Sequence, residues 1–253
     1  MPDSQFKILT YNIHKGFSAG NRHFILHGIK DALRKINADV LFLQEIQGEN
    51  HHHSVNIDNW PENSQFEFLA DDFWPYHAYG KNAIYNKGHH GNAILSKYTF
   101  IDWENINVSS MKNASRSLLH GTLDVAHLSC KLHVICVHLG LFEHERACQL
   151  TQLINRIDHH VPYEDPLIIA GDFNDWRGRA EKRLNSKLGV VDVFKNQYGK
   201  HVKSFPSWLP ILPMDRIYSR GVELVNCQSL QGLPWKNLSD HLPLLAEFAF
   251  IDL

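Results

Sequence analysis

The chain has 253 residues, 43% of them hydrophobic and 21% charged, a balance that excludes a disordered polymer and fits one large domain or two small ones. A chain of this length buries roughly 70% or more of the surface it exposes when unfolded, so its own core suffices to hold it together. With 25 basic residues against 27 acidic ones the formal charge is −2, which lacks the basic excess usual in nucleic-acid binders but leaves room for a local basic face.

Residues 6–13 alternate as a strand does and leave through Asn12-Ile13-His14-Lys15-Gly16, a turn-like exit. Residues 23–37 carry Phe24, Ile25, Ile29, Leu33 and Ile36 at close to helical spacing. The short apolar run at 40–43 reads as a buried strand ending at Gln44-Glu45, and this strand, helix, strand order begins an α/β pattern. Residues 49–63 are polar, rich in His and Asn and without period, and read as a surface loop. Strands follow at 93–95, 101–108, 118–125 and 132–137, then a helix over 143–160 with Ala147, Leu150, Leu153, Ile154 and Ile157 on one face. A buried strand at 166–170 ends at Gly171-Asp172, and a short helix covers 179–188. Residues 199–213 are Pro- and Trp-containing and irregular; strands near 216–218, 222–229 and 244–250 complete the chain. With no internal repeat or linker, residues 1–253 read as a single domain of two packed sheets with helices outside.

Cys130, Cys136, Cys148 and Cys227 form no CxxC pair and no zinc-ligand spacing. Cys130 and Cys136 are expected on one strand, roughly 20 Å apart along the backbone, and all four read as reduced. The first residues hold no apolar signal core and no later run is long enough to cross a bilayer, so a cytoplasmic setting is the expectation. Of the 18 histidines, many would charge together as pH falls towards about 6.5.

The polar residues with chemistry to offer stand just after apolar runs: Asn12, Glu45, His138, and Asp172 with Asn174; Asp215 follows a Pro-containing loop, and Asp240-His241 precede the last strand. Singly, each has an ordinary explanation: a solvated turn for Gln44-Glu45, an Asx turn for Gly171-Asp172-Phe173-Asn174, a helix N-cap for Ser239-Asp240-His241, a structural histidine for His138. Together, Asn12, Glu45, Asp172, Asn174 and Asp240 supply oxygen ligands suited to a hard cation such as Mg²⁺, which keeps waters and accepts phosphate oxygens, while the histidines supply acid, base or hydrogen-bond donors. The absence of a cysteine partner argues against structural zinc. No nucleophile-elbow serine and no Gly-rich Lys-Ser/Thr loop is present, which disfavours esterases and nucleoside triphosphatases.

In order along the chain, Thr10-Tyr11-Asn12-Ile13-His14, Leu43-Gln44-Glu45, Gly91-Asn92-Ala93-Ile94-Leu95-Ser96, Val137-His138-Leu139, Gly171-Asp172-Phe173-Asn174, Asp215-Arg216-Ile217-Tyr218 and Ser239-Asp240-His241 resemble the signature blocks of the endonuclease/exonuclease/phosphatase superfamily, whose members are similar to pancreatic deoxyribonuclease. The resemblance implies a four-layer α/β sandwich of two packed mixed β-sheets flanked by helices, with the site at one sheet rim. It implies Glu45 as principal metal ligand with Asn12 and Asp240 nearby, and Mg²⁺ as cofactor with Mn²⁺ a substitute. It further implies Asp172 as the residue that orients or deprotonates water, Asn174 as a donor to the phosphoryl oxygens, and His241 at the scissile phosphate, fixed by Asp215. His138 resembles the second histidine of the deoxyribonuclease and sphingomyelinase branches, which assists the leaving group. Two departures stand out: the carboxylate that pairs with that histidine in the deoxyribonuclease branch is replaced near Gly91-Asn92, and the tyrosine of the abasic-site nucleases is absent at position 138.

Arg116 is the candidate for gripping a substrate phosphate, with an exposed surface arginine as the alternative. His51-His52-His53 reads as a polar loop rather than a metal site, and His89-His90 as a neighbour of the rim without a role. Trp60, Phe73, Trp74, Trp208, Leu209, Ile211 and Leu212 form a candidate apolar rim for a lipid surface, core packing being the competing reading; residues 204–213 are too Pro-rich for a core strand and read as an apolar loop. The expected function is Mg²⁺-dependent hydrolysis of a phosphate ester carried by a lipid or small molecule, with transient membrane contact. A nuclease, with nucleic acid as partner, is the alternative, and a silent binding module of the same fold is a third class.

Overall fold

The structure, a computed structural model, describes residues 5–85, 88–109, 116–126 and 130–251. Met1 to Ser4, part of the segment read as lacking a signal core, and Ser115, just before Arg116, lie outside the described residues. In chain order the elements are β1 (Gln5–Asn12), α1 (Leu26–Ile36), β2 (Val40–Asn50), α2 (His51–Asn56), α3 (Gln65–Ala70), β3 (Tyr76–Tyr85), β4 (Gly88–Ser96), β5 (Thr99–Asn107), β6 (Ser117–Asp124), β7 (Leu132–His138), α4 (Glu143–His160), β8 (Leu167–Asp172), α5 (Arg179–Leu188), β9 (Val191–Asp192), α6 (Val193–Tyr198), β10 (Asp215–Arg220), β11 (Val222–Ser229), α7 (Trp235–Leu238) and β12 (Leu244–Phe250).

Two six-stranded mixed sheets, ordered β11-β12-β1-β2-β4-β3 and β5-β6-β7-β8-β10-β9, form the centre. Each contains a parallel pair joined through a helix: β1 and β2 through α1, β7 and β8 through α4. The remaining pairings are antiparallel. Period-two alternation sorts the apolar side chains between layers. Phe6, Ile8, Val40 and Phe42 of the first sheet meet Val134, Cys136, Ile168 and Ala170 of the second in one buried cluster. Their neighbours Leu9, Tyr11, Leu41 and Leu43 pack outward beneath α1 and α7, while Ile135, Val137, Leu167 and Ile169 pack beneath α4 and α5. Central strands buried on both faces read as continuous apolar runs, which is why 40–43 and 166–170 were legible as strands. The four-layer α/β sandwich expected from the resemblance is the architecture observed.

Helices α4 and α5 occupy the expected 143–160 and 179–188. The loop expected over 49–63 is different: β2 runs on to Asn50, and α2 follows, capped by the Asn50 side chain, which accepts from the His53 backbone N–H at 3.0 Å. His53 rests edge-on against Phe17 and Trp60, so the histidine run is an exposed helix with one ring in an aromatic cluster. The expected shared strand for Cys130 and Cys136 is also corrected: Cys130 precedes β7, and only Cys136 lies on it; all four thiols are free. Ser239 closes α7 and leads into β12 rather than capping a helix start. Trp74 is fully buried and donates its indole N–H to the Ala38 carbonyl at 2.8 Å, so it belongs to the core, not to an exposed rim. No helix among the described residues is long and apolar enough to cross a membrane.

One polar chain crosses the outer face of the second sheet. Arg156 pairs with Glu104 at 2.7 Å and donates its Nε–H to His120 Nδ1 at 3.1 Å. Because Arg can only donate, His120 must carry its proton on Nε2 and pass it to His133 Nδ1 at 3.0 Å, which leaves His133 Nε2–H for Asp165 at 3.3 Å. Both rings are buried, and burial, with the Arg156 guanidinium beside it, drives His120 down to about 3; burial likewise lowers His133. A neutral imidazole in the fold that charges freely when unfolded gives stability that is full above about pH 6.5 and lost as pH falls towards the folded value. The urea midpoint should therefore fall between pH 6.5 and 4, and fall less steeply in the His120→Gln/His133→Gln variant; equal slopes in the two proteins would refute the assignment.

Candidate active site

The carboxyl ends of both parallel pairs open on one rim. Asn12 ends β1, His138 ends β7 and Asp172 ends β8, while Glu45 lies on β2 one residue past Gln44, the register partner of Asn12. Asp215, the first residue of β10, is the register partner of Asp172, and Asp172 in turn of His138. Asp240 and His241 stand in the turn entering β12. Ligands in open α/β sheets collect at such strand ends, where loops and side chains converge.

Local backbone devices aim these groups. Glu45 has φ +54° within a bulge between Leu43 and Ile46, which takes it out of the sheet's alternation. Gly171 has φ +147°, and a Cβ there would stand 2.0 Å from the Val137 carbonyl oxygen, so only glycine lets β8 approach β7 beneath Asp172. Asn174, at φ +51°, donates its backbone N–H to Asp172 Oδ1 at 2.9 Å and its side-chain N–H to the Leu139 carbonyl at 2.9 Å. An asparagine tolerates that left-handed conformation and closes the turn with local hydrogen bonds.

The side chains meet. Asn12 Nδ2 lies 3.3 Å from Glu45 Oε1 and 3.3 Å from Asp172 Oδ2. Asp172 Oδ2 is 3.6 Å from His138 Nε2 and 3.9 Å from His241 Nε2. The other nitrogen of His241, Nδ1, donates to Asp215 Oδ2 at 2.8 Å, and the same oxygen accepts the Ser204 hydroxyl at 2.5 Å. Asp240 adjoins them: Ser239 Oγ, 3.3 Å from Asp240 Oδ1, donates to the Asn12 carbonyl at 2.7 Å. Arg116 is half-buried at the edge, its Nε–H on the Leu139 carbonyl at 3.3 Å, the same carbonyl that Asn174 uses.

Burial on this rim sets the two histidines in opposite states. Burial alone disfavours the His241 imidazolium, but Asp215, then Asp172 and Asp240, outweigh it and raise His241 well above the ordinary range. For His138, burial and then the Arg116 charge lower it to about 3, so it stays neutral. Burial raises Asp172, with Asp215 adding to the rise and His241 opposing it. Burial also opposes the Glu45 carboxylate, yet the Lys15 ammonium, with hydrogen bonds from Lys15 and Asn12, holds it below the usual carboxylate range.

The sequence profile of the Endonuclease/Exonuclease/phosphatase family matches residues 9–241. The chain belongs to the endonuclease/exonuclease/phosphatase family. It is 42% identical over 251 residues to the uncharacterised protein YbhP of Escherichia coli K12, covering 98% of this chain and 99% of that one. Among solved structures it superposes on an endonuclease/exonuclease/phosphatase from Beutenbergia cavernae with a TM-score of 0.75 at 17% identity, covering 97% of this chain and 72% of that one. It also superposes on the human Nocturnin catalytic domain with a TM-score of 0.71 at 19% identity, covering 98% of this chain and 94% of that one.

The fold thus brings together the residues that the family blocks pick out, Asn12, Glu45, His138, Asp172, Asn174, Asp215, Asp240 and His241, with Arg116 beside them. Four contributors were not singled out from the sequence. Lys15 places its ammonium 2.7 Å from Glu45 Oε2. Ser204 anchors Asp215, and the Phe205 ring packs 4.9 Å from that of His241. Arg216, fully buried, pairs with Asp192 at 3.3 Å and holds the carbonyls of Pro213, Asp215 and Asp175. Lys15 could have been noticed from its place just after the first block, three residues beyond the strand end at Asn12; Arg216 was quoted only as part of the Asp215 block.

The donors fit a hard divalent cation. The Glu45 and Asp172 carboxylates converge on the Asn12 side chain, whose amide nitrogen faces both while its oxygen accepts the His14 backbone N–H; an ammonium already sits on Glu45, and Asp215 Oδ1 is buried without a hydrogen-bond partner. Asp172, Asp215 and His241 also lie close enough together to share an ion, but His241 Nδ1 is committed to Asp215, so the oxygen-rich side at Glu45 suits such a cation better. Replacing Arg216 with Met would leave Asp192 buried beside His201 without its guanidinium. Removing one partner of a buried ion pair costs about 3–5 kcal/mol, so Arg216→Met should lower the unfolding free energy by about that much in chemical denaturation; a change under about 1 kcal/mol, the range of exposed pairs, would show that Arg216 is dispensable.

Proposed function

We propose that the chain acts as one domain that hydrolyses phosphoester bonds by in-line attack of water on phosphorus, with Mg²⁺ as cofactor and Mn²⁺ a substitute. The observation that carries this reading is the meeting of Asn12, Glu45 and Asp172 within hydrogen-bond distance, beside a His241–Asp215 pair at 2.8 Å. Glu45, Asn12 and Asp240 would hold the cation, which when bound neutralises charge on the phosphoryl group. Asp172, raised by burial, is suited to orient water and accept its proton. His241, charged and fixed by Asp215, donates to a phosphoryl oxygen, and the Asn174 amide, which spends one N–H on the Leu139 carbonyl, has a second to offer another. Neutral His138 serves the leaving-group side as a hydrogen-bond donor, and Arg116 grips a non-reacting phosphate oxygen. Positioning and charge neutralisation are what phosphoryl transfer chiefly needs.

A formal charge of −2 favours a lipid or small-molecule phosphate ester over a nucleic acid tracked by many phosphates, and the four free thiols fit a reducing, cytoplasmic setting. A nuclease is the second reading. Its support is the superposition on a Danio rerio TDP2 complexed with single-strand DNA product, with a TM-score of 0.72 at 20% identity, covering 97% of this chain and 99% of that one. A silent binding module is disfavoured because no residue of the assembled cluster is replaced by an inert one.

With a soluble aryl phosphodiester as substrate, chelation should abolish turnover and added Mg²⁺ or Mn²⁺ should restore it. Glu45→Gln, Asp172→Asn and His241→Gln should each lower kcat by about 10²-fold or more, the scale of losing one preorganised electrostatic group. Turnover that survives chelation and all three substitutions would exclude the reading.

A further inference from the structure

Two groups of exposed apolar side chains flank the rim, one on each side. On the first side Trp208, Leu209 and Ile211 are 69%, 53% and 54% exposed, and Leu233 is 70% exposed. They are joined to the site by hydrogen bonds. Ser207 donates its backbone N–H to the Asp240 carbonyl at 2.7 Å and its hydroxyl to Ser239 at 2.7 Å, while contacting Lys236 beyond α7 Trp235. The loop that carries the tip is closed on itself, since Leu212 N–H donates to the Phe205 carbonyl at 2.8 Å and Ile211 N–H to the same oxygen at 2.9 Å. On the second side Leu141 and Phe142 follow His138 by three and four residues, and Trp176 follows Asn174 by two. These too are exposed, and Trp176 is held by the Arg146 guanidinium 5.0 Å from its ring centroid.

Bulky apolar groups held in water by a closed backbone, rather than folded into the nearby core, mark an interaction surface. Charge narrows the partner. Lys200, Lys203 and Lys236 are exposed around the first group, and residues 199–213 and 230–239 contain no Asp or Glu. Lys200 and Lys203 line a groove of about 570 Å³ walled by Pro210, directly behind the apolar tip. Cationic charge behind an apolar edge matches an anionic bilayer, where the apolar groups enter the acyl boundary and the lysines stay among the headgroups. Nucleic acid is the weaker match. Single-strand binders stack bases on aromatic rings along a basic groove, whereas four of the seven exposed side chains here, Leu141, Leu209, Ile211 and Leu233, are aliphatic and Trp176 is already covered by Arg146.

We propose that the two apolar flanks and the lysines around the first of them form a docking face for anionic phospholipid membranes, which sets the catalytic rim against the bilayer and delivers a lipid-borne phosphate ester to it. The delivery rests on the reading of the rim as a phosphoester hydrolase; the docking does not.

The test separates them by measuring docking in chelator, where no turnover is needed. The full chain is co-sedimented with vesicles of phosphatidylcholine and with vesicles in which one third of the lipid is phosphatidylglycerol. The wild type should bind the anionic vesicles and lose most of that binding at high salt. Trp208→Ser/Leu209→Ser/Ile211→Ser should abolish it. Lys203→Glu/Lys236→Glu should weaken binding to anionic vesicles by roughly fivefold or more per residue, with little effect on phosphatidylcholine alone. Circular dichroism and the melting temperature identify any variant that has failed to fold, and the charge variant then decides the matter by itself. Absence of vesicle binding by a wild type that cleaves the soluble diester would overturn the docking face and leave the hydrolase standing. Vesicle binding by a protein that cleaves no ester would do the reverse. Loss of single-stranded DNA binding, or dissociation of a dimer, in the same variants without any vesicle binding would assign the face to nucleic acid or to a second copy and overturn the proposal.

Discussion

The constraint on which everything else rests is the face-to-face packing of two sheets that each carry a parallel strand pair pointing its carboxyl ends to the same edge. Phe42 and Ile8 meeting Ile168 and Cys136 across the interface fix that alignment. Burying a Phe or Leu side chain there contributes about 1.5–3 kcal/mol, and deleting one costs more because the neighbours relax only in part. Had the sheets packed with their parallel pairs opposed, Asn12 and Glu45 would face one end of the sandwich and Asp172 and His138 the other. Instead Asn12 bridges the two sheets directly, 3.3 Å from Glu45 on its own sheet and 3.3 Å from Asp172 on the other. The apolar interior therefore does chemical work: it determines that residues 160 positions apart share one hydrogen bond.

Gathering so many ionisable groups on a dry rim has an electrostatic consequence. Glu45, Asp172 and Asp215 are mostly or wholly buried within reach of one another, an arrangement in which full ionisation requires compensating positive charge. The chain supplies part of it. Lys15 sits on Glu45, His241 is held charged by Asp215, and Arg116 stands close enough to His138 to help keep that ring neutral. Two imidazoles in one cleft, one driven up and one driven down, differ because Asp215 binds the ring of His241 directly, whereas burial and then the Arg116 charge govern His138. Such divergence is how one site presents a charged donor and a neutral one at the same pH. The raised Asp172 and the partnerless Asp215 Oδ1 show where compensation is incomplete, and that remaining demand is what a divalent cation and a substrate phosphate are suited to meet.

Much of this was legible in the sequence, for identifiable reasons. The central strands were visible because both of their faces are buried, and α4 and α5 because their apolar stripes have helical period. Asn12, Glu45, His138, Asp172 and Asn174 were visible because they stand just after apolar runs, a pattern that a bulge at Glu45 and a left-handed turn at Asn174 make physical. What escaped was structure whose signal is not periodic. Strand β3 alternates poorly, with His77, Gly80, Lys81 and Asn82 in a region that only its pairing with β4 makes extended. Helix α2 depends on a side-chain cap from Asn50, and its polar composition resembles a loop. Ser204 and Phe205 were visible only as part of an apolar loop, because nothing local signals that one will hold Asp215 and the other His241. Contacts across 11 and 36 positions are products of the tertiary fold, and a pattern along the chain does not contain them.

That same loop joins the interior of the site to the surface. Ser204 and Phe205 face the His241–Asp215 pair, and three residues later Trp208 begins the exposed apolar tip. The intervening Ser207 is tied to both Ser239 and Asp240, so the segment cannot shift without disturbing the turn that carries His241. Solved neighbours in the family share this sandwich at 15–21% identity, and a scaffold so widely shared cannot by itself select a substrate. Selection must lie in what the loops add around a common rim. In this chain the loop that packs against the His241 imidazole is continuous with the one that meets solvent through Trp, Leu and Ile, so only three residues of closed backbone separate the tip from the rim.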